Sequence, residues 1–203
     1  MRLQPMKTSV MRAREDSEEI ARLSKPVNEA VMVQTVSSTP GWQAELGRLV
    51  QSASEEGIVF IGVGHPLRGD DCVGSYVLKR LINRLDAKPR RVSLYDAEEG
   101  VESIIAKVIE ANPKHVVFID SCEMNVQPGE IRLIAMSETD YPFFTTHGIP
   151  LKFLSERLLP RSEAWVVAVQ PKQAEFGERM SHEVCEAGNH VSEFILNALA
   201  GGR

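Results

Sequence analysis

The chain has 203 residues, 43% of them hydrophobic and 25% charged, enough for one good core of the size usual for a single α/β domain. A formal net charge of -5 gives no general attraction to nucleic-acid phosphates or anionic lipid, so no nucleic acid and no membrane surface is expected as a partner. No apolar run nears the roughly 20 residues that cross a bilayer, the N-terminus lacks an apolar signal core, and the three cysteines form no C-x-x-C pair, so a soluble, cytoplasmic protein with reduced thiols is expected.

Residues 1–54 read as an N-terminal extension, partly helical or flexible, ahead of a domain spanning 55–203. The extension is polar, broken at Lys25-Pro26, and carries the turn-rich cluster from Val36 to Gly41. Met1 to Arg14 has arginines and no acid, as a transit peptide would, but Glu15-Asp16-Ser17-Glu18-Glu19 ends that composition. Trp42, Leu46, Leu49 and Val50 recur at helical spacing and predict a short amphipathic helix that leads into the domain and packs on its sheet.

From Gly57 onward, strand-like apolar runs alternate with amphipathic helical ones, the pattern of βαβ units. Strands are predicted at Ile58 to Val63, Val92 to Tyr95, His115 to Asp120, Ile131 to Met136 and Trp165 to Val169. Helices are predicted near Asp71 to Leu85, Val101 to Ala111, Pro150 to Leu159 and Ser181 to Leu199. Pro128-Gly129-Glu130 is a turn whose following strand comes soon enough to pair antiparallel at the sheet edge. The expected fold is an α/β three-layer sandwich, a mostly parallel twisted sheet with helices on both faces.

Sites in such sheets form beyond the carboxyl ends of the strands, and three of those places hold unusual polar residues. The first strand runs into Gly62-Val63-Gly64-His65-Pro66-Leu67-Arg68-Gly69-Asp70-Asp71, the third ends in Ile119-Asp120-Ser121, and Thr145-Thr146-His147-Gly148 precedes a predicted helix. A dinucleotide fingerprint fits the first stretch poorly: Leu67 stands where the third glycine belongs, and two carboxylates would repel phosphate. Asp70 is expected to cap the helix start, which leaves Asp71 to face the strand ends. Asp120 closes an apolar strand and needs compensation, from a cap or from a cation. Taken singly, His147 reads as a hydrogen-bonded structural residue. Taken together, Asp71, Asp120 and His147 make an oxygen and nitrogen donor set suited to a borderline divalent metal such as nickel or zinc. Cys72 and Cys122 adjoin these positions and are weaker candidates, as nucleophiles working with His147. His65 reads as a loop hydrogen-bonder or an added ligand, and His115, His182 and His190 as structural or exposed.

From about Gly57 to Leu199 the chain resembles the hydrogenase-maturation endopeptidases. The resemblance is carried by Gly62 to Asp71, the strand ending in Asp120, Pro128-Gly-Glu-Ile131, Thr145-Thr-His-Gly-Ile-Pro-Leu151 and Ala168-Val-Gln-Pro171. It implies an endopeptidase that removes the C-terminal extension of a [NiFe] hydrogenase large-subunit precursor after nickel insertion. It also implies that Asp71, Asp120 and His147 are at once the catalytic residues and the contacts to nickel carried by the precursor. A monomer is expected. This sequence departs from the family pattern at His65, where asparagine is usual, and at Cys72, where glycine is common. Two rival readings are a nickel-sensing maturation chaperone that does not cut and a nucleotide-binding oxidoreductase using the Gly62 to Gly64 turn and Asp96.

Overall fold

The computed structural model describes residues 41–85, 91–98, 100, 102–138, 145–146, 149–150 and 161–201. His147 and residues 151–160, which hold most of one predicted helix, lie outside the described residues, as does the extension before residue 41.

In chain order the elements are α1 (Trp42–Glu56), β1 (Ile58–Val63), a 3-10 turn (Gly69–Cys72), α2 (Val73–Arg84), β2 (Val92–Glu98), α3 (Glu102–Ala111) and β3 (His115–Ser121). There follow β4 (Ile131–Ala135), a second 3-10 turn (Met136–Glu138), β5 (Thr145–Thr146), β6 (Ile149–Pro150), β7 (Glu163–Val169) and α4 (His182–Gly201). Among the described residues the main sheet has five strands in the order β2-β1-β3-β7-β4. The first four run parallel, and β4 pairs antiparallel with β7 at the edge, as the short turn before it predicts. β5 and β6 form a separate antiparallel pair, so Pro150, expected to open a helix, sits in a strand instead.

The sheet is covered on both faces. On one side Phe60, Val117, Ile119, Val167 and Val169 pack against α1, α2 and α4. Side chains of alternate parity, Ile61, Val116, Phe118, Val166 and Ala168, meet Ile104 and Val108 of α3 on the other. Burial on both faces is why β1 and β3 are near-continuous apolar runs rather than alternating ones. Each helix shows an apolar stripe at three- and four-residue spacing: Val73, Val77 and Leu81 in α2, and Val184, Ala187, Val191, Ile195 and Leu199 in α4. In α1, Leu46, Leu49 and Val50 are buried, and the Trp42 ring lies edge-on to Phe194 and His190 of α4 at 5.2 and 5.3 Å.

One crossing is unusually tight. A Cβ added at Gly74, near the start of α2, would lie 2.0 Å from the Ile119 carbonyl oxygen and 2.3 Å from that of Val63, and one at Gly62 would lie 2.4 Å from the Gly74 carbonyl oxygen. Two glycines therefore let the N-terminal turn of α2 lie directly on the backbone of β1 and β3, which brings the residues just before that turn to the strand ends.

Candidate functional site

β1 lies between β2 and β3. The connection from β1 through α2 leads to one neighbour, and the chain then returns through α3 to the other, so a crevice opens beyond the carboxyl ends of β1 and β3. The loop of residues 64–72 enters it from β1, and Asp120 and Ser121 enter it from β3. Gly64 begins that loop with φ +127, and a Cβ there would lie 1.7 Å from the Asp71 carbonyl oxygen. The loop thus folds back on its own start, and Asp71 is drawn against the strand end.

Both oxygens of the Asp71 carboxylate are held. The His65 backbone N–H donates to Oδ2 at 2.8 Å, and the Ser121 hydroxyl donates to Oδ1 at 3.4 Å. Asp120 is 8% exposed, at the end of a strand otherwise walled by apolar side chains. Removal from water, and after it the charge of Asp71, push its carboxyl up to about 8, while the Ser121 N–H works in the opposite direction. A carboxylate from the turn after β1 and one from β3 thus share a partly buried corner where a second negative charge is disfavoured, and a cation would relieve it. Among the described residues no three His, Cys, Asp or Glu side chains gather as a metal cage, and His147 lies outside those residues.

Asp70 does not cap a helix start. The backbone enters the 3-10 turn before α2, neither that turn nor α2 has a side-chain cap, and Asp70 is fully buried and faces away from both. Its carboxylate accepts from the backbone N–H of Lys172 at 2.8 Å, Gln173 at 3.0 Å and Ser181 at 2.6 Å, and from the Ser181 hydroxyl at 2.9 Å. Its own N–H returns a bond to the Gln173 carbonyl at 2.9 Å. Four donors compensate the buried charge and tie the 64–72 loop to the segment between β7 and α4. Ser181 in turn accepts from the Val184 N–H at 3.4 Å at the start of α4. The partners of Asp70 lie more than a hundred residues away in sequence, so local pattern favours the cap reading.

Gln170 is a second scaffold residue, visible in sequence only as part of Gln170-Pro171. It is buried just after β7; its Oε1 accepts from the N–H of Met124 at 2.7 Å and its Nε2 donates to Glu123 at 2.8 Å. These bonds pin the segment that leaves Asp120. His65 behaves as a loop hydrogen-bonder: its Nδ1 accepts from the Leu67 N–H at 3.0 Å, the role an asparagine oxygen would fill.

Cys72 and Cys122 make poor nucleophiles. Burial, and behind it the charges of Asp70 and Asp71, raise the Cys72 thiol above its ordinary range, and burial with Asp120 and Asp71 holds Cys122 well above it. The oxidoreductase reading loses its parts too. Gly62 and Gly64 serve close backbone contacts, and Asp96, the acid that reading relies on, is engaged by the Ser75 hydroxyl at 2.9 Å and Lys79 at 3.4 Å. His115 is at the opposite end of the sheet, buried, with Nε2 2.7 Å from the Ser52 hydroxyl.

Comparison with known proteins gives one consistent relationship. Residues 76–198 match the HycI hydrogenase maturation protease family. A Methanocaldococcus jannaschii protein assigned as a hydrogenase maturation protease is 28% identical over 149 residues, 70% of this chain and 88% of its own length. The hydrogenase 3 maturation protease of Escherichia coli K12 is 28% identical over 132 residues, 64% of this chain and 82% of that one. The crystal structure of the [NiFe] hydrogenase maturation protease HycI from Thermococcus kodakarensis superposes with a TM-score of 0.66 at 26% identity, covering 75% of this chain and 99% of that chain.

Proposed function

The chain belongs to the hydrogenase maturation protease family, and from that premise we propose that it removes the C-terminal extension of a [NiFe] hydrogenase large-subunit precursor once nickel is in place, and that it senses that nickel directly. The observation that carries this reading is the pairing of buried Asp120 with half-buried Asp71. One carboxyl is pushed up to about 8 by burial and by the other's charge, a pairing that disfavours anions and favours a divalent cation presented by the substrate.

In this reading the nickel is cargo of the precursor, and Asp71, Asp120 and His147 contact it during cleavage. A divalent ion at a scissile amide polarises the carbonyl or lowers the pKa of an attacking water. The chain's own residues do the rest. The His65 N–H and the Ser121 hydroxyl hold the Asp71 oxygens in one orientation. Burial and the charge of Asp71 favour the protonated form of Asp120, and a cation brought beside it would favour the carboxylate, which can then act as a base. An open carboxylate-rich set suits an ion that is shared and released better than one kept for structure.

The test is incubation of the purified protein with nickel-loaded and nickel-free precursor, reading precursor mass. Loss of a C-terminal fragment from the loaded form alone is expected. Asp71→Ala, Asp120→Ala and His147→Ala should each abolish that loss while keeping a cooperative thermal transition. Binding of the loaded precursor by the wild-type protein without any cut would instead favour a nickel-sensing chaperone, and unfolding of all three variants would assign those residues to structure.

A further inference from the structure

Two large apolar side chains stand exposed on the loops that frame the carboxylate pair, Leu67 at 56% and Phe176 at 71%. Leu67 belongs to the loop that delivers Asp71, and Phe176 to the segment between β7 and α4. The two loops are joined. The Gly177 N–H donates to the Leu67 carbonyl at 2.8 Å, and Arg68 Nε donates to the Ala174 carbonyl at 3.4 Å. The ring of His65, whose backbone N–H holds Asp71, meets the Phe176 ring edge-on with centroids 5.7 Å apart. Beneath them, the four bonds to the Asp70 carboxylate anchor both loops to the core. Exposed apolar residues on a slack loop mean little, but here the two loops are bonded to each other, and His65 links the Phe176 ring to the Asp71 carboxylate.

We propose that Leu67 and Phe176 form an apolar lip that grips an apolar side chain of the precursor's tail next to the bond to be cut. This inference rests on the processing reading above and adds to it a recognition element that is independent of the metal. Two carboxylates recognise a cation and carry no information about sequence. A polypeptide laid across the crevice to bring one amide to Asp71 passes this rim, where Leu67 and Phe176 stand as apolar points among the exposed charged side chains of Arg68, Glu175 and Glu178. Covering a ring already fixed in place gains hydrophobic contact with little loss of conformational freedom.

The experiment measures steady-state cleavage of the nickel-loaded large-subunit precursor by the full chain and by Leu67→Ser, Phe176→Ser and Phe176→Leu. Each serine variant should raise KM by about tenfold or more with kcat within about twofold, since roughly half a phenyl or leucyl surface is withdrawn from the contact. Phe176→Leu should stay near wild type. Unchanged KM in both serine variants, or a fall in kcat alone, overturns the lip. A wild-type protein that leaves the loaded precursor uncut overturns the processing reading instead, so the two failures are distinguishable.

Discussion

Asp120 ends a strand whose other core positions are Val116, Val117, Phe118 and Ile119, and the cost of ionising it there has a sign that can be measured. Its carboxyl is pushed up to about 8, whereas in the unfolded chain it has its ordinary value near 3.8. Between those values the folded state binds the extra proton, so stability falls as pH rises through that window, by about 1.4 kcal/mol per unit, and levels off above it. Asp120→Asn keeps the shape and removes the titration. Urea unfolding of both proteins should show equal stability near pH 4 and an advantage for the variant that widens up to about pH 8. A constant gap across pH would assign the effect to something other than this carboxyl. Both acids of the pair stand out in the sequence, Asp120 because a carboxylate at the end of an apolar strand is expensive and Asp71 because it is the second of two adjacent acids in the loop after the first strand. Asp70 does not, because what satisfies it is the backbone of residues 172, 173 and 181.

Most elements follow from local pattern. β1 spans the predicted Ile58–Val63, β2, β3 and β7 extend slightly beyond their predicted cores, and α4 begins one residue after the predicted start. The start of α2 departs from expectation. It begins at Val73 rather than Asp71, because the chain first makes a 3-10 turn to bring the acids to the strand ends. The glycines that permit this are legible as residue types but not in purpose, since a tight helix crossing and a phosphate loop ask for the same residue. They can be told apart by substitution. Gly74→Ala sets a methyl against two backbone oxygens that have nowhere to move, and should cost about 3 kcal/mol or more. Gly177→Ala meets nothing within 4 Å and suffers only from its φ of +85, a cost of about 1 kcal/mol. Denaturant midpoints for the two variants should separate accordingly; similar losses would mean that the α2 crossing relaxes.

For the molecule as a whole, α1 contributes to the core. Leu46, Leu49 and Val50 are buried in the same cluster as α2, α4 and one face of the sheet. Each such side chain contributes about 1.5–3 kcal/mol when fully buried, and three together rival the 5–15 kcal/mol typical of a whole domain. A chain of residues 57–203 should therefore lose the cooperative thermal transition that residues 41–203 keep, measured by circular dichroism; equal melts would make α1 dispensable. The helical spacing of these residues shows this packing in the sequence itself. The crevice is partly legible, because parallel strands place it at their carboxyl ends. The bracing by Asp70 and Gln170 is not, because it depends on which loops meet. That bracing also sets a schedule. Asp70 finds its last partner in Ser181, 111 residues further along the chain. A ribosome adding about 5–20 residues per second needs on the order of 5–20 s to supply it. Until then the loop bearing Asp71 lacks its anchor, so a nascent chain carries all five described strands of the main sheet before it carries a working site, and peptidase competence waits for Ser181.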